Sequence, residues 1–390
     1  MYTIHCVNNI SKTGLAEFGP DYSFVGDATE ADAVIVRSAN LHEVEMPETL
    51  LAIARAGAGV NNIPIEKCAE MGIVVFNTPG ANANAVKELV VAGLMLSSRD
   101  IIGSVEWVRN HSDDPDIAKT AEKIKKNFAG TEVAGKTIGV IGLGAIGAMV
   151  ANTCRQLGMK VMGYDPYLSV KAAWSLDRHV RHVSNLSEIF AEADYITLHV
   201  PVTPSTKGMI GADEIAAMKD GVILLNFARD TLVDEGALTS ALQTGHVRRY
   251  VTDFANTVST QMPNAIVTSH LGASTKESEE NCAVMAANEL KDFLENGNIV
   301  NSVNFGHVDL GPLNADARIS VIHANVPNVI GNITAILSEA GLNIENMANK
   351  SNEKRAYTLL ELTGTVTDET IARLEALPEV IRARVMPRRD

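Results

Sequence analysis

The stretch from Lys136 to Asp165 constrains the fold of this chain more than any other part of the sequence. An apolar run, Thr137 to Ile141, leads into Gly142, Gly144 and Gly147 at GxGxxG spacing. In such a turn the first glycine permits the tight bend, the second lets the backbone approach a pyrophosphate, and the third lets the next helix pack on the sheet. Glycines that only pack a helix against a sheet are the alternative interpretation.

The acid at the end of this stretch strengthens the dinucleotide interpretation. Asp165 follows a second apolar run, Val161 to Tyr164. A carboxylate in this place accepts hydrogen bonds from ribose hydroxyls and repels a 2′-phosphate, which favours NAD over NADP. We therefore predict an NAD site that includes the first helical residues, Ala145 and Ile146, where unpaired N–H groups face the phosphates.

Length and charge limit the possible functions. The chain has 390 residues, enough for two or three domains. Its formal charge of −14 disfavours nonspecific nucleic-acid binding, so an anionic substrate needs locally placed arginines. The four cysteines show no CxxC pairing, and the sequence has neither a signal peptide nor an apolar run of about 18 residues. We expect a cytoplasmic protein with reduced thiols, no membrane span and no metal.

Short β-rich runs alternate with helical stretches near the N-terminus, which predicts a parallel sheet. The runs are Tyr2 to Val7, Ala33 to Val36, Leu50 to Ala54 and Ile73 to Asn77. The segment from Val86 to Ile102 then predicts one long apolar helix.

A second parallel sheet is predicted around the glycine turn. Further apolar runs follow that turn at Tyr195 to Val200, Val222 to Phe227, Tyr250 to Phe254 and Ala265 to Ser269. Ligands of such sheets collect at the carboxyl ends of the strands. The polar residues at these ends are Asp165, His199, Asn226, Arg229, Asp253 and His270. Their convergence predicts the functional site.

Arg229 and His270 carry the groups that an NAD-dependent enzyme acting on a hydroxy acid needs. A guanidinium binds a carboxylate through two parallel hydrogen bonds. An imidazole exchanges a proton near neutral pH. The alternatives are a surface arginine paired with Asp230 or Asp234, and a structural histidine.

The C-terminal part predicts a small separate fold. Gly297 to Pro312 is rich in glycine, asparagine and proline and predicts a linker. The segment from Arg318 to Met386 predicts the order strand, helix, strand, strand, helix, strand, which is typical of ferredoxin-like domains.

Several segments resemble the D-isomer-specific 2-hydroxyacid dehydrogenases. In chain order they are VRSAN, RAGAGVNNI, FNTPGANANAVKEL, GKTIGVIGLGAIG, LHVPVTPSTKGMIG, NFARDTLVDEGAL and SHLGAST, whereas HANVPNVIGNI and GLNIENM resemble an ACT regulatory domain. The resemblance implies an α/β protein with a split flavodoxin-like substrate domain at 1–95 and 275–305. It also implies an inserted Rossmann NAD-binding domain at 96–274, a linker at 306–317 and a ferredoxin-like ACT domain at 318–390.

The resemblance also implies roles for individual residues. Arg229 would bind the substrate, His270 would be the acid–base group, and Asp253 would lie near the nicotinamide carboxamide. Further implied cofactor contacts are His199, Val200, Pro201, Asn226 and Gly272. The implied substrate contacts are Arg37, Ser38, Arg55, Ala58, Gly59 and Asn82, of which the two arginines serve a phosphate. His323, Asn325 and Asn343 match positions that hold L-serine as an effector.

The implied reaction is the NAD-dependent oxidation of D-3-phosphoglycerate to 3-phosphooxypyruvate in serine biosynthesis. The enzyme would be a homo-oligomer, a dimer or a tetramer, regulated by serine. A glyoxylate or hydroxypyruvate reductase is one alternative, and a catalytically weak NAD(H)-binding sensor is another.

Two positions depart from the family pattern. The family has a glutamate between the positions that match Asp253 and His270, where it orients the catalytic histidine. Here the residues from Phe254 to Ser269 contain no carboxylate, and Val258 falls about where the glutamate is expected; Asp253 or an acid from elsewhere in the chain is the alternative partner. Without a carboxylate partner the protonated imidazole is less stable, and because reduction of a 2-oxo acid needs that form, we expect reduction to decline at lower pH than in relatives that have the glutamate. Asn328 stands where a turn glycine is expected, and asparagine tolerates positive φ.

Overall fold

The computed structural model describes residues 1–387, which form two compact units. One unit combines Met1–Asn82 with Lys276–Asp390, and the other is Ala83–Thr275. The last three positions of the predicted 318–390 domain lie outside the described residues. The four-segment division of the sequence analysis stays a prediction.

The first unit begins with a five-stranded parallel sheet. Its elements are β1 (Tyr2–Cys6), α1 (Lys12–Leu15), β2 (Tyr22–Val25), β3 (Ala33–Val36), β4 (Ala52–Arg55), α2 (Ile65–Glu70) and β5 (Val74–Asn77). The strand order β2-β1-β3-β4-β5 is flavodoxin-like. Four of these strands are confirmed predictions. The sequence analysis lacks β2 because this half-exposed edge strand has no continuous apolar run.

Three helices open the second unit: α3 (Ala83–Ser98), α4 (Ile101–Asn110) and α5 (Ile117–Ile124). The prediction of one helix from Val86 to Ile102 is wrong. The chain breaks after Ser98 because the Asp100 carboxylate caps a new helix, accepting a hydrogen bond from the Gly103 amide at 3.2 Å.

The second sheet has seven parallel strands. Its elements are β6 (Thr137–Ile141), α6 (Ala145–Gln156), β7 (Lys160–Tyr164), α7 (Val170–Ser175), β8 (Arg181–His182), α8 (Leu186–Glu192), β9 (Tyr195–Leu198), α9 (Ala212–Ala216), β10 (Val222–Asn226), α10 (Glu235–Thr244), β11 (Val247–Thr252) and β12 (Ala265–Val267). The order β12-β11-β10-β9-β6-β7-β8 is that of a Rossmann fold, and it reverses between β6 and β9. The two-residue strand β8 is too short and too exposed to give a sequence signal.

The chain then returns to the first unit. It forms α11 (Lys276–Asn296), β13 (Ala317–Ala324), α12 (Val329–Glu339), β14 (Asn343–Ser351), β15 (Arg355–Thr363), α13 (Asp368–Glu375) and β16 (Val380–Pro387). The four strands are antiparallel in the order β14-β15-β13-β16, which confirms the ferredoxin-like prediction.

The central strands β13 and β15 of the C-terminal sheet are buried on both faces, whereas β14 is largely exposed. Ile319, Val321 and Leu360 belong to its own core with the helices. Tyr357 and Leu359, from alternate positions of β15, belong instead to the core that includes α11 and the first sheet. The two sheets of the first unit are therefore joined by a shared apolar core.

Candidate active site

The glycine turn between β6 and α6 leaves space for a ligand. Gly142 has φ 91°, and its amide donates to the Tyr164 carbonyl at 2.8 Å. A side chain on Gly147 would collide with the Gly142 carbonyl oxygen, so this glycine is needed for packing. A Cβ on Gly144 would meet no atom within 4 Å. Gly144 is the N-cap residue of α6 and offers that helix end no side-chain hydrogen bond. Packing alone therefore does not explain why a glycine stands here.

Both oxygens of Asp165 are anchored by the backbone. Oδ2 accepts from the Leu143 amide at 2.9 Å, and Oδ1 accepts from the Tyr167 amide at 2.8 Å. The carboxylate is therefore fixed beside the glycine turn. Each oxygen keeps a lone pair for a ribose hydroxyl.

His199 lies at the reversal point of the strand order. Its amide donates to the Ile141 carbonyl at 2.7 Å, and its ring Nε2 lies 2.9 Å from the Thr197 hydroxyl. Burial lowers the pKa of His199 to about 3, so the ring is neutral at physiological pH. Val200 and Pro201 follow it, and Val200 packs against the glycine turn.

Asn226 shapes the turn that carries Arg229. The Asn226 side chain is fully buried; its Nδ2 donates to the Arg229 carbonyl at 2.8 Å and to the Tyr250 hydroxyl at 3.2 Å. The Arg229 guanidinium is exposed and donates to the Ala228 carbonyl at 2.6 Å. It forms no ion pair with any residue of the described chain, so the predicted alternative of a pair with Asp230 or Asp234 is not observed.

Asp253, His270 and Gly272 form one cluster. Asp253 is 1% exposed; its carbonyl accepts from the His270 amide at 2.8 Å, and its Oδ2 accepts from the Gly272 amide at 2.9 Å. Its Oδ1 is buried without a hydrogen-bond donor from residues 1–387. Burial raises the pKa of Asp253, while the Gly272 amide, His270 and Arg229 oppose that shift.

The imidazole of His270 is exposed and has no carboxylate partner. The residue has φ 53°, and its ring lies edge-on against Phe254 with centroids 4.8 Å apart. Its ring nitrogens form no hydrogen bond or ion pair within residues 1–387. Val258, at the position of the family glutamate, is 43% exposed. No other described acid has taken the place of that glutamate.

The first unit carries a separate arginine loop after β3. The amides of Arg37, Ser38 and Ala39 all donate to the Asn8 side-chain oxygen, at 3.1, 3.1 and 3.0 Å. The Arg37 guanidinium pairs with Glu279 at 2.5 Å, and both side chains are about two-fifths exposed. An exposed pair contributes little stability and can yield to a ligand phosphate.

Arg55 lies next to this loop. Its Nε donates to the Arg37 carbonyl at 3.1 Å, and its side chain passes close to Gly57, where a Cβ would collide with the guanidinium. Asn77 Nδ2 donates to the Ala58 carbonyl at 2.6 Å, which fixes the loop that continues into half-buried Gly59. Asn82 is the last residue before the chain enters the second unit.

The predicted effector residues differ in burial and in their hydrogen-bond partners. His323 is 2% exposed; its Nδ1 lies 2.8 Å from the Ala324 carbonyl and its Nε2 lies 2.8 Å from the Thr358 hydroxyl. Asn325 Nδ2 donates to the Asn352 carbonyl at 2.9 Å, and Asn343 is exposed. Burial lowers the pKa of His323. Asn328 has φ 70°, which confirms the expected left-handed turn.

Sequence reasoning lacked the residues that hold the site residues in place. Asn8 fixes the Arg37 loop, Asn77 fixes Ala58, and Tyr250 contacts Asn226. Their partners lie far away in sequence or carry no motif, so only the folded chain reveals them.

The second unit fits NAD. The open space at Gly144 suits a pyrophosphate, Asp165 suits a ribose, and the unsatisfied Oδ1 of Asp253 suits the N–H donor of a carboxamide. Ala145 and Ile146, at the start of α6, border the open space. The remaining strand-end residues complete the crevice at the reversal point.

Comparisons with known proteins agree with this geometry. Residues 91–272 match the family model described as D-isomer specific 2-hydroxyacid dehydrogenase, NAD binding domain. The D-3-phosphoglycerate dehydrogenase of Methanocaldococcus jannaschii is 38% identical over 309 residues, 76% of this chain and 57% of that protein. The chain thus spans somewhat over half the length of this curated relative.

Two further relatives extend the match. The D-3-phosphoglycerate dehydrogenase of Escherichia coli is 32% identical over 359 residues, covering 88% of this chain and 83% of that protein. The crystal structure of NAD+-bound 3-phosphoglycerate dehydrogenase from Entamoeba histolytica has a TM-score of 0.60 at 28% identity, covering 78% of this chain and 98% of that one. The chain belongs to the D-isomer-specific 2-hydroxyacid dehydrogenases, and its second unit contains their NAD-binding domain.

Proposed function

We propose that this chain oxidises D-3-phosphoglycerate to 3-phosphooxypyruvate with NAD, within serine biosynthesis. The observation that carries the proposal lies at the ends of β10, β11 and β12, three adjacent strands. They present Arg229, Asp253 and His270, and neither the guanidinium nor the imidazole forms a hydrogen bond or ion pair with another side chain of residues 1–387. The relatives named above support the choice of substrate.

Each strand-end residue has one task in the oxidation. Arg229 binds the substrate carboxylate and orients the neighbouring C–OH bond. A ring nitrogen of neutral His270 accepts the hydroxyl proton as the carbonyl forms. The hydride acceptor for this oxidation would be supplied by NAD. Asp253 would hold the cofactor by accepting a hydrogen bond from its carboxamide.

Arg37 and Arg55 give the enzyme its preference for a phosphorylated acid. Arg55 Nε already holds the Arg37 carbonyl, so the two side chains belong to one loop structure. Phosphate binding replaces Glu279 as the partner of Arg37. Because arginine recognises phosphate through paired N–H donors, both residues favour 3-phosphooxypyruvate over hydroxypyruvate.

We also propose that L-serine regulates the enzyme at the C-terminal domain. Exposed Asn343 and the turn residue Asn325 are the recognition groups. His323 takes part only if serine replaces the Ala324 carbonyl or the Thr358 hydroxyl as a ring partner. Loss of serine inhibition in Asn343→Ala, with inhibition retained in the exposed control Asn332→Ala, is the expected result. An unchanged inhibition curve in Asn343→Ala would contradict the site.

The active form is proposed to be a cytoplasmic homo-oligomer. Helix α4 buries none of its residues and exposes an apolar stripe of Ile101, Ile102, Val105 and Val108. Strand β14 pairs only with β15 and is an edge that a second copy can extend. The four cysteines are free thiols, as expected in a reducing compartment. Light scattering of the wild type and of Val105→Glu tests the oligomer.

The decisive measurement is the steady-state oxidation of NADH with 3-phosphooxypyruvate, hydroxypyruvate and glyoxylate. We expect strong preference for the phosphorylated acid. Arg37→Gln should raise KM for 3-phosphooxypyruvate and leave KM for hydroxypyruvate unchanged. The control Arg178→Gln, at an exposed position, should change neither KM. Equal rates with hydroxypyruvate would favour the reductase. Binding of NADH without any turnover would favour the sensor, for which the missing carboxylate partner of His270 is the specific observation.

A further inference from the structure

A cavity of about 730 Å³ lies within the first unit. It is bordered by α11, by the Gly80–Ala81 loop after β5, and by the segment from Asn298 to Asn301. Its volume is that of a small-molecule site. Neither the NAD site nor any residue assigned above to the substrate lines it.

The lining of this cavity is apolar with a few acids and amides. Phe76, Met285 and Val300 supply apolar surface. The charged residues along it are Glu289 and Asp292, and no basic residue of the described chain lines it. Together with the net charge of −14, this lining disfavours phosphates, carboxylates and dinucleotides.

Asp292 and Glu289 differ in whether their carboxylate oxygens already have hydrogen-bond donors. Asp292 Oδ1 accepts from Asn296 at 2.8 Å and from Asn298 at 2.9 Å, so it fixes the turn after α11. Glu289 Oε1 accepts from Asn301 Nδ2 at 2.6 Å, but Oε2 is buried without a hydrogen-bond donor from residues 1–387. Burial raises the pKa of Glu289 to about 8. Because buried polar atoms in folded proteins are normally hydrogen-bonded, the free Oε2 indicates a site for a donor.

We propose that this cavity binds a small organic ammonium compound whose amine pairs with Glu289 and whose short apolar body contacts Phe76 and Met285. An ammonium group donates up to three hydrogen bonds and supplies the charge that the acidic lining favours. Oε2 then gains a donor, and the ionised form of Glu289 gains a counter-charge.

The test is titration of the full-length protein with n-butylammonium, followed by ligand-observed NMR. Sodium butyrate and butan-1-ol are the matched anionic and neutral probes. We expect saturable binding of the ammonium probe, no saturation with butyrate, and affinity for butan-1-ol at least about tenfold weaker than for the amine. Equal affinity for the alcohol and the amine would overturn the assignment of an ammonium ligand.

Two variants locate the binding. Glu289→Gln keeps an oxygen for Asn301 and should weaken binding of n-butylammonium by about tenfold or more. Glu280→Gln makes the same carboxyl-to-amide change on the same helix outside the cavity and should leave the affinity unchanged. Val300→Trp, at a 40% exposed position, should block the cavity if the glutamine variant does not fold. Equal loss in Glu289→Gln and Glu280→Gln, or unaltered binding in Val300→Trp, would overturn the proposal.

Discussion

Arg229 in the second unit and Arg318 in the first illustrate two uses of the same side chain. Arg318 is fully buried and donates to the carbonyls of Asn296 and Gly311 at 2.7 and 2.8 Å, and to Glu361 at 2.5 Å. Within residues 1–387, Arg229 is exposed and donates only to its neighbour Ala228. An arginine whose terminal nitrogens are all engaged by the protein holds structure together, whereas one left without a side-chain partner is available to a ligand.

Tyr357 in the first unit and the strand ends of the second show a similar contrast. The C-terminal sheet is fixed to the rest of its unit by further hydrogen bonds, including that of the fully buried Tyr357, whose hydroxyl donates to the Gly297 carbonyl at 2.6 Å. Burial raises the pKa of Tyr357 to about 12, so it remains a neutral donor. The strand ends of the second unit instead leave Oδ1 of Asp253 and the ring of His270 without partners in the described chain.

The largest effect is expected from His270→Asn. Loss of the proton acceptor should lower kcat by about 10²–10⁴-fold. The unfolding midpoint should not change, because the ring has no hydrogen bond to lose and asparagine tolerates the positive φ. Exposed His179→Asn is the control and should retain full activity. A loss below tenfold in kcat for His270→Asn would remove it from the mechanism.

Arg318→Met should sharpen the contrast in stability. It leaves Oε1 of Glu361 and several carbonyls without their donor, which costs about 3–5 kcal/mol of unfolding free energy. Urea unfolding of the first unit measures this loss. Arg229→Met should leave the urea midpoint unchanged while lowering kcat/KM, though by less than His270→Asn. Adding Glu361→Leu to Arg318→Met should restore much of the stability, and failure to do so would show that the backbone hydrogen bonds dominate.

Two buried titratable groups should make the units respond to pH in opposite directions. The pKa of His199 is lowered to about 3, so its contribution to stability is present above its ordinary value of 6.5 and is lost as pH falls towards 3. The pKa of Glu289 is raised from 4.5 to about 8, so its contribution is present below 4.5 and is lost as pH rises through 8.

Thermal unfolding across this pH range checks the sign of each effect. Each contribution is on the order of a few kcal/mol. Compared with the wild type, His199→Gln should make the unfolding temperature depend less on pH at acid pH. Glu289→Gln should make it depend less on pH at alkaline pH. If Glu289→Gln changed only the acid side, its carboxyl would be ionised in the folded protein at neutral pH.

The smallest effect is expected from Asp253→Asn. The variant keeps an acceptor for the Gly272 amide but loses the negative charge offered to the cofactor, so the Kd for NADH should rise about tenfold. Because the carboxylate is desolvated, the cofactor-free variant should also melt at a slightly higher temperature. Fluorescence titration and calorimetry measure the two effects. Asp220→Asn, at a side chain that is 92% exposed, should alter neither.

Much of the fold could be predicted because its signals are local. Buried parallel strands such as β6, β9 and β10 require continuous apolar runs, and a tight turn after β6 requires glycine. The edge strands β2 and β8 could not be predicted, because strands with exposed residues have no continuous apolar run. The break between α3 and α4 depends on a single capping aspartate, which the apolar pattern around it conceals.

The chemistry of the site followed from residue type and strand position, so Arg229, Asp253 and His270 could be selected from the sequence. The groups that hold them could not. Asn8 reaches the Arg37 loop and Arg318 reaches Glu361 across long separations in the chain. Such pairs depend on how the elements pack, and no local pattern encodes that packing.

By itself, then, the sequence determined the two parallel sheets, the ferredoxin-like C-terminal domain and the candidates for the reactive side chains, since each depends on a few neighbouring residues. The tertiary structure decided which polar atoms are left unsatisfied: Oδ1 of Asp253 and Oε2 of Glu289 are buried without a donor from the described chain, whereas both terminal nitrogens of Arg318 have acceptors. The physical reason is that desolvation and hydrogen bonding depend on every element packed around a group, and so appear only when the chain is folded.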